Sequence, residues 1–146
     1  MTLLDAQQYD FARQRRRRIQ IVLAIVVVLA LALVGWMYRR WPQEHVVNQF
    51  FTALENKDFK AAYGIYYHDP DWAEHTDKYK QYTYDDFYRD WGPSGEWGYI
   101  KSHRIYGSAG SDAGTGVIVE VIVNDRAEHA KLFVQKSDKT LGLYPY

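Results

Sequence analysis

The chain has 146 residues, 24 of them aromatic, and no cysteine. Residues 1–40 carry seven arginines against Asp5 and Asp10, a net +5, while residues 41–146 carry 11 basic against 16 acidic residues, a net −5; the overall zero joins two unlike regions. This excludes a large multidomain enzyme, a disulfide-stapled mini-protein, a tetracysteine zinc module and thiol catalysis, and it argues against nucleic acid, which needs a basic surface for counterion release.

Residues 1–18 read as a basic tail. From Ile19 to Tyr38 there are 20 consecutive uncharged residues between Arg18 and Arg39, and twelve of them are Ile, Val or Leu. As a helix, 20 residues rise about 30 Å, the thickness of a bilayer's hydrocarbon core. At roughly 0.3 to 0.6 kcal/mol each, the twelve aliphatics contribute on the order of 4 to 7 kcal/mol toward insertion. Trp36, Tyr38 and Trp41 stand where an interfacial aromatic belt lies. A buried core helix is rarely apolar on every face for this length. A cleaved signal peptide fits less well, because the apolar stretch exceeds the usual h-region and Ala30-Leu31-Ala32 lies inside it. The expectation is one uncleaved transmembrane helix over 19–38, a signal anchor. Five arginines (Arg13 and Arg15 to Arg18) precede it and two follow, which puts the N-terminus in the cytoplasm and residues 39–146 outside the plasma membrane.

Pro42 opens the next helical stretch, with an apolar stripe of Val46, Val47, Phe50, Phe51 and Leu54. Glu55-Asn56-Lys57 is a polar break and Asp58 an N-cap for a second helix, whose apolar side is Phe59, Ala62, Tyr63 and Tyr66. That helix ends at His68-Asp69-Pro70, since proline disfavours the helical region for its predecessor. Residues 68–82 read as an irregular aromatic loop. Thr83 with Asp86 forms a capping box for a helix running to Trp91, with Phe87 and Trp91 on one face and an Asp85–Arg89 pair at i, i+4. Beyond Gly92-Pro93-Ser94-Gly95 the period becomes two. Strands are expected over 98–106, 116–124, 128–136 and 141–144, in antiparallel sequence, with Val117, Val119, Val121 and Val123 lining one face. Helices followed by a meander make an α+β domain over 39–146, with helices packed on one face of a sheet.

The segment from Val47 to Tyr63, with its Phe51-x-Ala53-Leu54, polar turn, Asp58 and second helix, resembles the opening of the nuclear-transport-factor-2-like superfamily, which includes ketosteroid isomerases and polyketide cyclases. The C-terminal meander is similar too, and the resemblance covers most of residues 43–146. It implies a curved antiparallel sheet closing a cone-shaped half-barrel that can hold a pocket, and a tendency to form homodimers; it implies no particular reaction. In the steroid isomerases a tyrosine on the first helix donates to the oxyanion. The matching position here is Phe50, which has no hydroxyl, and no carboxylate matches their base.

Glu120, between valines and isoleucines, is the most enzyme-like single residue; a glutamate on the outer sheet face, paired with Lys101 or Lys131, is the favoured reading. His68, Asp69, Asp71 and His75 make a compact group of metal-ligand types at loop spacing that matches no zinc template, so no metal is assigned. The glycines of 107–116 precede a strand, so no phosphate loop is read there, and no cofactor is expected. Ten aromatics fall between Tyr63 and Trp91. Tyr63, Tyr66, Tyr67, Trp72, Tyr88 and Trp91 are the candidates for binding a ligand or partner, against the plainer reading that they fill a small core.

The expected function is that of a noncatalytic, single-pass membrane protein. It would serve as an accessory or scaffold subunit contacting the lipid bilayer and other membrane or envelope proteins. Its layout resembles that of the inner-membrane scaffold component of type IV secretion systems. The competing expectation is a small-molecule binder with an aromatic-lined pocket, and after it an isomerase- or cyclase-like enzyme.

Overall fold

The computed structural model describes residues 11–144, so the first ten residues of the expected tail and the last two of the expected domain lie outside the described residues. The chain divides into two compact units, Met1–Arg39 and Arg40–Tyr146.

The first unit holds α1 (Phe11–Tyr38), whose opening turns already contain the arginine run. Its apolar stretch reaches a mean hydropathy of 2.8 over 18 residues, and no part of that stretch is buried. Large aliphatics on every side are exposed, as at Ile21, Val28 and Leu31. One helix among the described residues is therefore long and apolar enough to cross a membrane.

The second unit is α+β, with α2 (Trp41–Glu55), α3 (Phe59–Tyr67) and α4 (Tyr84–Trp91) before strands β1 (His103–Gly110), β2 (Gly116–Val123), β3 (His129–Gln135) and β4 (Leu141–Leu143). Proline in the first turn of α2 gives up an N–H that has no helical partner there. The stripe Val46, Val47, Phe50, Phe51 and Leu54 is buried along its whole length. Lys57 at φ 61° turns the chain, and Asp58 caps α3 by accepting the Ala61 N–H at 3.0 Å. Helix α3 stops at Tyr67, one residue earlier than proline alone requires, because His68 adopts the left-handed conformation as C-cap. Between α3 and α4 the aromatic loop contains two short 3-10 turns, Trp72–Glu74 and Thr76–Tyr79. The capping box of Thr83 and Asp86 is formed. Arg89, expected against Asp85, instead places Nη2 2.6 Å from Asp86 Oδ1, the carboxylate already held by the cap.

The sheet is an open antiparallel meander in the order β1-β2-β3-β4. Its inner face carries Val117, Val119, Val121, Val123, Ala130, Leu132 and Val134, all buried against α2, α3 and α4. The first strand lies about four residues later than its pattern suggested. Gly98 sits at φ +61° in a turn, and the N–H groups of Lys101 and Ser102 are taken by the Asn124 side chain. The ladder continues instead through Gly107-Ser108-Ala109-Gly110, where small side chains give no alternation to read; backbone pairing with Val117–Glu120 needs none. A bulge puts Tyr106 between the pairs Ile105–Val121 and Gly107–Glu120. Gly116 is fixed by a neighbour: any Cβ there would fall on the Phe133 ring.

Candidate functional site: the aromatic layer between α3 and α4

Helix α3 projects Tyr63, Tyr66 and Tyr67 toward the chain that returns through residues 68–84. Tyr63 is at the centre, 1% exposed, with Trp72, Tyr67, Phe87 and Tyr84 rings edge-on at 4.8 to 5.6 Å. Its hydroxyl donates to the Tyr82 carbonyl at 2.7 Å, and the Tyr67 hydroxyl donates to the same oxygen at 3.1 Å. Trp72 stacks on Tyr84 at 5.2 Å and donates its indole N–H to the Lys60 carbonyl. Tyr79 stacks on Tyr67 at 4.2 Å and donates to Asp69 Oδ2 at 2.5 Å, and Tyr82 donates to Asp90 Oδ2 at 2.9 Å.

These contacts govern the protonation of the phenols. Burial, then the neighbouring Tyr67, pushes Tyr63 far above the ordinary tyrosine range. Burial also raises Tyr82, with Asp90 adding to it, and raises Tyr66 to about 12. For Tyr79 the hydrogen bond to Asp69 is the largest cause, and its pKa rises to about 12; the same bond holds the Asp69 carboxyl below its usual value. At neutral pH the layer thus consists of protonated phenols, of which Tyr63, Tyr67, Tyr79 and Tyr82 donate to fixed acceptors. It holds no phenolate for use as a base.

The six aromatics singled out from sequence are not brought into one cavity. Tyr63, Tyr66 and Trp91 are core; Tyr67 and Trp72 are half-buried; Tyr88, edge-on to Phe59 at 5.0 Å, is 42% exposed. Tyr63 and Trp72 border a crevice of about 210 Å3 with Tyr79, Tyr84 and Asp85. Trp91 lies elsewhere, edge-on to Phe50 at 5.0 Å. Phe50 itself has no exposure, enclosed by Phe51, Phe87 and Trp91. In the loop group, Asp69 is committed to Tyr79 and to the Asp71 N–H, and among the described residues no three His, Asp or Glu side chains gather as a metal site.

Two polar groupings escaped the sequence reading. His103 on β1 has Nδ1 2.6 Å from Glu55 Oε1 and Nε2 2.9 Å from Asn48 Oδ1, and its ring stacks on Phe51. On the outer sheet face Glu120 is opposite Lys131 in register, as the alternation implied. Its carboxylate, however, lies 2.9 Å from Nδ1 of His129, whose ring Tyr106 covers at 4.6 Å. For His129 the signal was the period-two pattern, since the β2–β3 register brings Glu120 near it, whereas His103 meets Glu55 and Asn48 only through the packing of β1 on α2, which no local pattern shows.

Comparison with protein-family models, with curated proteins and with solved structures finds no match.

Proposed function

We propose that this chain is a single-pass signal-anchor protein of the plasma membrane, with its N-terminus in the cytoplasm and residues 39–146 outside. In this reading the folded unit is a nuclear-transport-factor-2-like domain, the meander representing part of a cone-shaped half-barrel. It acts without catalysis, as an accessory or scaffold subunit that contacts other membrane or envelope proteins and associates with a second copy of itself. The observation that carries the reading is the distribution of aromatics. Those that would have built an enzyme-like cavity, with Phe50 at their centre, are packed on one another. Meanwhile Tyr99, Tyr106 and Leu143 keep more than half of their surface exposed, the material of protein contacts. The crevice beside Tyr63 and Trp72 favours the second reading, a small-molecule binder.

Native mass spectrometry of the tagged full-length protein, gently extracted from its own membrane, separates the two. Stoichiometric added polypeptide mass is the expected result; a bound small-molecule mass with no second polypeptide overturns the scaffold role. Protease protection of epitopes at the two ends, in sealed cells, tests the orientation, and cleavage of the N-terminal epitope from outside contradicts it.

A further inference from the structure

Residues 40–146 contain no cysteine and no methionine; the two methionines are Met1 and Met37. Sulfur side chains are the usual sinks of oxidation, so in the folded unit that part falls to tryptophan and tyrosine. Trp41 packs on His45, and Trp91 on Phe50 and Phe51, rings that give up an electron less readily than a phenol does. Trp72 packs on tyrosine. Its half-buried indole meets Tyr63 at 4.8 Å, Tyr63 meets Tyr67 at 5.1 Å, and Tyr67 stacks on Tyr79 at 4.2 Å. The four rings form a continuous series whose members differ in what accepts their protons. The hydroxyls of Tyr63 and Tyr67 donate to the Tyr82 carbonyl and the Trp72 indole to the Lys60 carbonyl, peptide oxygens too weakly basic to take a proton at neutral pH. Tyr79 donates to a carboxylate, Asp69 Oδ2, at 2.5 Å. An oxidised phenol is a strong acid, and a base already in hydrogen-bond contact removes its proton without diffusion. Tyr82 has such a base in Asp90, but its tyrosine contact is Tyr66, one ring further along.

We propose that the aromatic layer is a relay for oxidising equivalents, entered at Trp72 and ending at the Tyr79–Asp69 pair. A one-electron oxidant of the small-radical class takes an electron from the Trp72 indole. Tyr79 replaces that electron through Tyr67 and Tyr63, and the Tyr79 phenolic proton moves to Asp69 Oδ2. With azide radical as the oxidant, the radical, the phenol and the carboxylate become azide anion, tyrosyl radical and carboxylic acid, with one negative charge on each side. The relay is independent of the scaffold reading, which concerns exposed surfaces.

The test is pulse radiolysis of the full-length protein in detergent, with azide radical as the oxidant. The expected result is a first-order decay of indolyl absorption matched by a rise of tyrosyl absorption, at a rate independent of protein and buffer concentration. Trp72→Phe should abolish this phase. Tyr79→Phe keeps the stack on Tyr67, and Asp69→Asn keeps an acceptor for the Asp71 N–H; each should slow the phase about tenfold. In Asp69→Asn the rate should also become dependent on added imidazole, which takes the proton in place of the carboxylate, and Asp69→Glu should restore the parent's behaviour. Near-ultraviolet circular dichroism like the parent's verifies that the layer is intact in each variant. Absence of a tyrosyl rise overturns the proposal, as does a phase unchanged in Tyr79→Phe. Slowing in Asp69→Asn without a response to imidazole also overturns it and leaves Asp69 a packing role alone.

Discussion

Nδ1 of His103 lies 2.6 Å from Oε1 of Glu55, joining the first strand to the last turn of α2 across 48 residues of chain. The imidazole is 8% exposed and the carboxylate 27%, so solvent replaces little of this contact when it is lost. His103→Phe keeps the stack on Phe51 but strands Glu55 and Asn48, and should cost about 1–3 kcal/mol. Combined with Glu55→Gln in a double-mutant cycle, it should show a coupling of about 0.5–3 kcal/mol. The measurement is thermal unfolding of the four purified full-length proteins; strictly additive melting shifts would mean that the pair contributes nothing to stability.

The tyrosine layer predicts how the domain fails in alkali. Tyr66 and Tyr79 titrate near 12 in the fold against 10.0 ordinarily, so the folded state favours their protonated form. For a group whose folded pKa is raised, the stabilisation is complete below the unfolded value and is lost as pH rises toward the folded one. Stability should therefore hold up to about pH 10 and fall between pH 10 and 12. Tyrosinate absorbance should then appear together with loss of near-ultraviolet circular dichroism. Smooth titration of all thirteen tyrosines near pH 10 with the fold intact would contradict this. Asp69 and Asp86 are lowered, by Tyr79 and by Thr83 respectively. Their contribution has the opposite sense, present above 3.8 and lost as pH falls below it.

Local chemistry made much of this fold legible. The Thr83–Asp86 box, the Asp58 cap, the α2 stripe and the valine face of β2 each depend on neighbours within a few residues, and each is where the pattern put it. The misplaced β1 shows the limit. Gly107-Ser108-Ala109-Gly110 pairs through its backbone, and Arg40 and Glu44, more than 60 residues away, hold Ser108. Nor does an aromatic residue carry in its own sequence context whether it will fill a core or face a ligand. Tyr63 and Tyr88 have similar local signals, yet one is enclosed and the other exposed.

Two turn-proximal positions should respond in opposite directions. At Gly116 a methyl group collides with the Phe133 ring and the Val134 carbonyl, so Gly116→Ala should destabilise by about 1–3 kcal/mol. Asn124 and Asp125 both have positive φ, in a turn closed by the Arg126 N–H to the Val123 carbonyl at 3.0 Å. The Asn124 side chain anchors Lys101, Ser102 and Tyr99 and must stay, but Asp125 is exposed. Asp125→Gly relieves the left-handed strain and should raise stability by about 0.5 kcal/mol, net of the added freedom of the unfolded chain. Melting temperatures of the two variants on either side of the parent decide the matter; a lowered value for Asp125→Gly would refute the turn geometry.

The Tyr82 carbonyl accepts from two phenols, Tyr63 at 2.7 Å and Tyr67 at 3.1 Å, and this sharing makes a non-additive prediction. Tyr63→Phe keeps every ring contact and leaves the carbonyl bonded by Tyr67, so it should cost no more than about 1 kcal/mol; Tyr67→Phe is the converse case. Removing both hydroxyls leaves a part-buried oxygen without either donor, at about 1–3 kcal/mol, so the double variant should lose more than the two singles together. Equilibrium unfolding of the three variants measures this directly. Additive losses would show that water replaces the phenols at Tyr82, and that the crevice beside Tyr63 and Trp72 is wet enough to admit a polar ligand.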